Sequence, residues 1–465
     1  RYPGVRADSD MYTLAYSFRP WRQPRAIVDG ATILSYLQDT ARENGIEERI
    51  RYGHRVTGAA WSTADARWTV EARCAESDQV VRFSCNFLFA CSGYYRYAAG
   101  HAPEIAGRDH YRGRVVHPQH WSDDIDHAGR RVAVIGSGAT AMSLVPAIAA
   151  TASHVTMVQR SPTWVISQPA DDRLARRLAR FLPDRLAYTA VRWQRVLMGV
   201  FFFALCRGRP ALASRLLTAG VRARVGPQFD IATHFAPRYK PWEQRLCLVP
   251  DGDFFRTLRS GRASIVTSEI ERFTETGLRL RSGDLVDADL VVMATGLELE
   301  LLGGIAVSVD GRVVDWASKL TYKGMMYDGV PNFASVFGYA NASWTLRSDL
   351  ISGYVCRLLQ RMNRRGLRQC TPRNSDPGIT TAPWLDLSSG YIRRAAERLP
   401  KQGSRAPWSL CQNYLRDLAP MRWSRLDDGA MVFSNPGGRP PVASAPGCGK
   451  APTKIVGSPL RDRSP

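Results

Sequence analysis

A chain of 465 residues with 45% apolar content is long enough to bury two or three cores, which excludes a disordered protein. Its formal charge of +21 comes from 63 basic and 42 acidic residues, and 57 of the 63 are arginine, spread along the chain instead of gathered into an aromatic-studded stripe, so no nucleic-acid partner is expected. Nine cysteines occur singly, with no CxxC pair and no histidine at ligand spacing; neither a metal site nor a disulfide framework is expected, and reduced thiols suit a cytoplasmic protein.

Residues 1–125 carry a helix pattern over Thr32–Asn44, a hairpin pattern over Arg55–Trp61 and Arg67–Arg73, and an apolar run, Phe87–Gly93, that reads as a buried strand closed by Cys91, Ser92 and Gly93. The next unit, 126–172, holds the sharpest signal. Val132–Ile135 reads as a buried parallel strand, and GSGATA follows it where strand turns into helix. Gly136 permits the tight turn, Gly138 lets a pyrophosphate approach the backbone, and Ala141 lets the helix pack close; Ser137, Ala139 and Thr140 complete the turn. Free N–H groups at the start of that helix would receive the phosphates. A glycine turn alone is weak evidence, but here a second strand, Val155–Val158, follows in order. At its end stand Gln159, Arg160 and Ser161 where an NAD site would carry an acid, and a cation between hydrogen-bonding groups suits the 2′-phosphate of NADPH.

The segment 173–225 is rich in Leu, Ala and Arg and reads as a helical insertion. Its longest apolar run, Val196–Cys206, has 11 residues, short of the roughly 20 that cross a bilayer, so no spanning helix is expected. The stretch resembles an interfacial basic helix able to touch a membrane surface, although packing over the cofactor domain is the simpler reading. The dinucleotide unit resumes over 226–296, with a hairpin turning near Ser282 and Gly283 and a buried strand, Leu290–Ala294, closed by Thr295 and Gly296. From 297 to 434 a strand within Gly329–Tyr339 and a helix over Ser348–Arg364 are expected, and the Pro-, Gly-, Ser- and Arg-rich end, 435–465, reads as a disordered tail.

Over residues 1–434 the chain resembles the class B flavoprotein monooxygenases of the Baeyer–Villiger type, and among them the ethionamide-activating FAD-containing monooxygenases. The fingerprint FxGxxxHxxxW is present as Tyr111, Gly113, His117 and Trp121, with Tyr for Phe and with Ser122 where Pro or Asp usually follows. RYPGVRADSDMY at the start and PWEQRLCLVPDGDFF, Pro241–Phe255, extend the likeness. The resemblance implies an α/β fold of two Rossmann-like dinucleotide-binding domains, for FAD and NADPH, with a helical insertion. It implies that one atom of O2 is inserted into ketones or placed on the sulfur of thioamide-like compounds, with a small hydrophobic organic substrate as partner. Arg245 and Asp8 match the active-site cation and acid, a guanidinium being suited to charge on oxygen because it stays protonated. Arg6 and Ala7 match the nicotinamide side, Asp8 and the backbone near Val56 the FAD side, and His117 a structural or gating position on the interdomain linker. A flavin domain of this kind should open with its own strand and glycine turn, so the sequence reads as lacking an N-terminal βαβ unit. Rival readings are an N- or S-oxygenating flavin monooxygenase that does not use Arg245, and a non-catalytic nucleotide-binding remnant.

Overall fold

The computed structural model describes residues 2–436; the expected tail lies almost wholly outside the described residues. Helix α1, Gly30–Glu43, starts where the Asp29 carboxylate accepts from the Thr32 N–H, a side-chain N-cap. The hairpin β1, His54–Ser62, and β2, Arg67–Cys74, follows, continued by β3, Val80–Cys85. Alternation of exposed and buried residues along β2 places Trp68, fully buried, against Trp61 of β1, with ring centroids 5.5 Å apart. The expected buried strand shrinks to β4, Leu88–Ala90, and is only half-buried, because within the described residues it pairs on one side alone.

The cofactor sheet is built from β5, Arg114–Val116, β6, Arg131–Ile135, helix α2, Ala139–Ile148, and β7, His154–Gln159. The insertion supplies α3, Arg173–Leu178, α4, Asp184–Gly208, and α5, Pro210–Val225. Here one expectation is corrected: α4 is long and apolar enough to cross a membrane by length and composition, an 18-residue stretch of it having a mean hydropathy of 1.2. The run Val196–Cys206 understated it because Arg192 and Arg195 interrupt the sequence but not the helix. Both turn inward, Arg192 to Asp349 at 3.4 Å and Arg195 to Asp172.

After the insertion come α6, Asp253–Arg259, β8, Ala263–Thr267, a meander of Ile270–Phe273, Gly277–Leu280 and Leu285–Asp287, and β9, Leu290–Met293. The order β8-β7-β6-β9-β5 is parallel throughout, and β9 is buried along its whole length between β6 and β5. Parallel strands covered on both faces are expected to read as continuous Val, Ile and Leu runs, as VAVI and LVVM do. The chain then returns as β10, Ala306–Val309, and β11, Arg312–Val313, which extend the sheet of β1 to β3, and as β12, Phe333–Ser335, which pairs in parallel with β4. Helix α7, Trp344–Arg365, starts four residues before its expected position and ends at Gly366, whose left-handed φ of 60° closes it.

The two passages between the halves run side by side. Tyr95 bridges Leu299 antiparallel, the Arg96 N–H donates to the Glu298 carbonyl at 2.9 Å, and the Glu300 N–H donates to the Tyr94 carbonyl at 2.9 Å. The architecture is thus α/β in two domains with a helical insertion.

The core of the cofactor half rests on α2 lying over the sheet. Leu144→Ala, at a fully buried site packed among Val132, Val134, Met157 and Val292, is expected to lower the unfolding free energy by about 2–5 kcal/mol in a denaturant titration followed by near-UV circular dichroism. Leu216→Ala, at a 56% exposed site, is expected to change it by no more than about 0.5 kcal/mol.

Candidate dinucleotide and oxygenation site

The GSGATA turn joins β6 to α2. Gly136 adopts φ of 131°, its N–H donates to the Val158 carbonyl at 2.9 Å, and a side chain there would strike the Ala294 carbonyl. Gly138, the residue before α2, faces open space, and α2 has neither a side-chain cap nor an acid in its first turn. The first amides of Ala139, Thr140 and Ala141 are therefore left for an anion. Ala141 is fully buried, and the Ser137 hydroxyl donates to the Ser161 carbonyl at 3.0 Å, fixing the turn to the end of β7.

At that strand end the structure separates the expected pair. Arg160 is exposed and meets no acid within ion-pair distance among the described residues. Gln159 is buried, its amide donating to the His234 carbonyl at 2.9 Å and to the Thr267 hydroxyl at 2.8 Å. Gln159 is the last residue of β7 and is engaged across to β8, whereas Arg160 lies one residue past the strand end and carries its charge in water.

Each fingerprint residue has a visible packing reason. Tyr111 lies against Phe273, 5.4 Å between ring centroids, and its hydroxyl donates to the Ala288 carbonyl at 2.8 Å. A Cβ at Gly113 would fall 2.6 Å from the Asp289 carbonyl oxygen, so only glycine fits beside β9. Trp121 packs on the core of the cofactor half and meets His127 edge-on. The His117 Nδ1 accepts from the Gln119 N–H at 3.2 Å, which leaves Nε2 to donate to the Gly296 carbonyl at 3.2 Å. Gly296, at φ of 105°, also accepts from the His101 N–H at 3.0 Å. Burial holds the His117 imidazole below its ordinary 6.5, as it does for His101 and His234.

The N-terminal segment reaches across to this half. Arg6 pairs with Asp253 at the start of α6 and donates to the Met142 carbonyl in α2 at 3.2 Å, so its guanidinium is engaged next to the dinucleotide helix. The Ala7 N–H donates to the Val28 carbonyl at 3.1 Å. Val56 pairs with Ala72 of β2, but β10 engages β1 only from Gly58 onward, so the other edge of the backbone at Val56 is open.

Arg245 approaches Asp8 at 3.6 Å and donates from Nε to the Ala340 carbonyl at 3.2 Å. Desolvation opposes its charge, but Asp8 and then Tyr94, Tyr391 and Tyr95 outweigh it, and the net result is a guanidinium held more firmly protonated than usual. Sequence reasoning missed these tyrosines. Tyr94 and Tyr95, hydroxyls 3.2 Å apart, directly follow the strand-end Gly93, which was the available signal; Tyr391, pushed up to about 12 chiefly by burial, is brought in by a short helix, Gly390–Ala395, almost 300 residues away and left none. Beyond Ala340 opens a cavity of about 280 Å³ walled by Phe203, Trp242, Asn341, Trp384 and Gln412. Trp242 holds a φ of 66°, a strained conformation for a bulky residue, and stands edge-on to Phe203 at 5.5 Å. The Trp242 Nε1, Trp384 Nε1, Gln412 Nε2 and Asn341 Oδ1 atoms are buried without a hydrogen-bond partner among the described residues.

Fold and site together define a two-domain α/β protein with a glycine turn opening uncapped helix amides, a firmly protonated arginine and a cavity reached through Ala340. The flavin-binding monooxygenase-like family matches residues 17–198. The FAD-containing monooxygenase EthA of Mycobacterium tuberculosis is 47% identical over 435 residues, covering 93% of this chain and 88% of that protein. The probable FAD-binding monooxygenase AlmA of Acinetobacter baylyi is 42% identical over 435 residues, with 93% and 87% covered. Among solved structures, an oxidized steroid monooxygenase bound to NADP aligns over 80% of this chain and 79% of its own at 24% identity and TM-score 0.66. A cyclohexanone monooxygenase bound to ε-caprolactone aligns over 93% and 91% at 17% identity and TM-score 0.72; both likenesses establish a shared fold. The chain belongs to the FAD-containing monooxygenases of the flavin-binding monooxygenase-like family.

Two measurements check this geometry. Arg160→Ala in flavin-loaded protein is expected to raise KM for NADPH by about 10- to 100-fold, the loss of one charge-assisted contact, and to leave KM for NADH nearly unchanged. Because His101, His117 and His234 all stay neutral in the fold below the pH at which unfolded imidazoles charge, stability is full above about 6.5 and falls as pH drops through that value. Melting temperature recorded against pH should show that loss, and His117→Asn should reduce its slope.

Proposed function

We propose that the chain is an FAD- and NADPH-dependent monooxygenase that inserts one oxygen atom into a lipophilic ketone, or places it on the sulfur of a thioamide-like compound. For a ketone the balance is ketone + O2 + NADPH + H⁺ giving ester + NADP⁺ + H2O. The observation that carries this reading is Arg245, paired with Asp8, faced by three tyrosines and hydrogen-bonded to Ala340, which lines the cavity.

The residues present fit both cofactors. Open space before Gly138, uncapped amides at the start of α2 and the unpaired Arg160 suit the pyrophosphate and 2′-phosphate of NADPH. On the other side, the open backbone edge at Val56, the exposed Asp8 and the unpartnered Ser92 hydroxyl beside Gly93, at φ of 74°, offer polar contacts to FAD. When bound, NADPH supplies a hydride to FAD, and reduced FAD passes one atom of O2 to the substrate while the other leaves as water.

Arg245 is the cation that meets negative charge on the transferring oxygen and, for a ketone, on the oxygen of the tetrahedral adduct. Asp8 faces its Nη1 at 3.6 Å and orients it, and the Ala340 carbonyl fixes its Nε edge, leaving Nη2 for the reacting atoms. Tyr94 is held in place by stacking on Trp344, centroids 5.0 Å apart. The unpartnered indole and amide donors of Trp242, Trp384 and Gln412 suit a substrate that carries a hydrogen-bond acceptor on an otherwise apolar body.

In flavin-loaded protein, Arg245→Ala is expected to lower ester or sulfoxide formation by about 100-fold or more while NADPH oxidation continues, because the oxyanion partner is lost but hydride transfer is not. Product yield equal to the parent's would favour an oxygenase that does not use this cation.

A further inference from the structure

The insertion carries a surface that the oxygenation chemistry does not use. Along α4 the exposed side chains Leu186, Trp193, Leu197 and Phe201 recur at helical spacing on one face, Phe201 at 71% exposure, and Leu212 and Leu216 continue the patch onto α5. An apolar patch of this size on a water-facing helix pair is a binding surface. Residues 173–225 contain twelve arginines against the single acid Asp184. Four of the twelve pair with acids outside the segment: Arg192 with Asp349 and Arg195 with Asp172 hold α4 down, and Arg176 and Arg207 pair with Asp171 and Asp386. Arg180, Arg185, Arg209 and Arg215 are exposed and meet no acid within ion-pair distance among the described residues; Arg185 adjoins Leu186, Arg215 adjoins Leu216, and Arg209 stands at the corner between α4 and α5.

We propose that α4 and α5 dock on an anionic phospholipid surface, the apolar stripe entering the headgroup boundary and the flanking arginines pairing with lipid phosphates. Charge complementarity selects this occupant: a protein partner would need a dense acidic patch with an apolar centre, whereas an anionic bilayer offers both as a continuum. Docking, not spanning, follows from Arg192 and Arg195, whose acidic partners on the body a membrane-crossing helix would have to abandon. The same helix reaches the cavity. Phe203, two residues beyond Phe201 and so on the opposite side of the helix, lines the cavity together with Arg207 one turn later. Resting on the proposed oxygenase reading, this places the cavity wall one helix thickness from the lipid and lets a membrane-dissolved substrate enter beside Phe203.

The test is flotation of the full chain with vesicles of phosphatidylglycerol and phosphatidylcholine, or of phosphatidylcholine alone. The expected result is binding to the anionic vesicles only, weakened several-fold in about 1 M salt. Leu197→Asp with Phe201→Asp, and separately Arg180→Glu with Arg185→Glu and Arg215→Glu, should each lower that binding about tenfold or more while the circular dichroism spectrum is unchanged. Equal binding to neutral vesicles, binding unaffected by either set, or absence of binding overturns the proposal. Retention in membranes through an alkaline carbonate wash overturns it in favour of a spanning helix. A dimer that dissolves in the Leu197→Asp/Phe201→Asp protein, with no lipid binding by the parent, overturns it in favour of a second copy. Turnover of a water-soluble ketone is independent of all these outcomes, so failure here leaves the oxygenase reading to its own test.

Discussion

The register of β9 against β6 and β5 is the constraint on which the rest depends. Leu290 sits opposite both Val132 and Arg114, so three parallel strands end at one level. From those ends leave the GSGATA turn, the His117 linker and the Ala294–Gly296 turn. Buried on both faces, β9 is fixed by its covering layers as well as by its ladder, and a slip of one residue would turn every side chain over. Gly136 and Gly113 are the local price of that closeness, each lying where a side chain would meet a carbonyl of the segment around β9.

Much of this was legible in the sequence because it rests on short-range rules. Strand, glycine turn and helix were readable at Val132–Ile148 from apolar periodicity and the turn chemistry of Gly136, and the hairpin of Trp61 and Trp68 from period-two alternation. What was not legible depends on which way a side chain points or on what lies across the fold. Gln159 and Arg160 look alike as polar strand-end residues, and only where the ladder with β8 stops decides that one is buried and the other exposed. Phe87–Gly93 has the composition of a central strand, yet β4 has one neighbour within the described residues and is half-buried for that reason. The tyrosines around Arg245 come from two distant segments, and no local pattern links Tyr391 to Tyr94.

Arginine has three different roles in this chain, and burial separates them. Arg347, 3% exposed, pairs with Asp417 and donates to the Lys323 carbonyl, tying α7 to the segments packed on it. Arg245 is partly screened and keeps its charge against desolvation because an acid and three phenols surround it. Apart from Arg192 and Arg195, the arginines of the insertion are in water, where an isolated ion pair contributes little, so their charge excess has scant structural use and is free to serve recognition.

The paired passages between the halves have a mechanical consequence. Tyr94–Arg96 and Glu298–Glu300 are joined as a short antiparallel ribbon, braced by the Arg96–Glu298 ion pair at 3.0 Å, and His117 staples the next turn to Gly296. Two single tethers would let the halves swivel independently about each. A laced ribbon instead flexes easily across its thin direction and resists shear in its plane, so rigid-body motion of one half against the other is channelled towards one bending axis. Of the three tyrosines beside Arg245, Tyr94 and Tyr95 sit on that ribbon, so any such bend moves two of the guanidinium's polar neighbours and leaves Tyr391 behind, coupling its surroundings to the angle between the two halves.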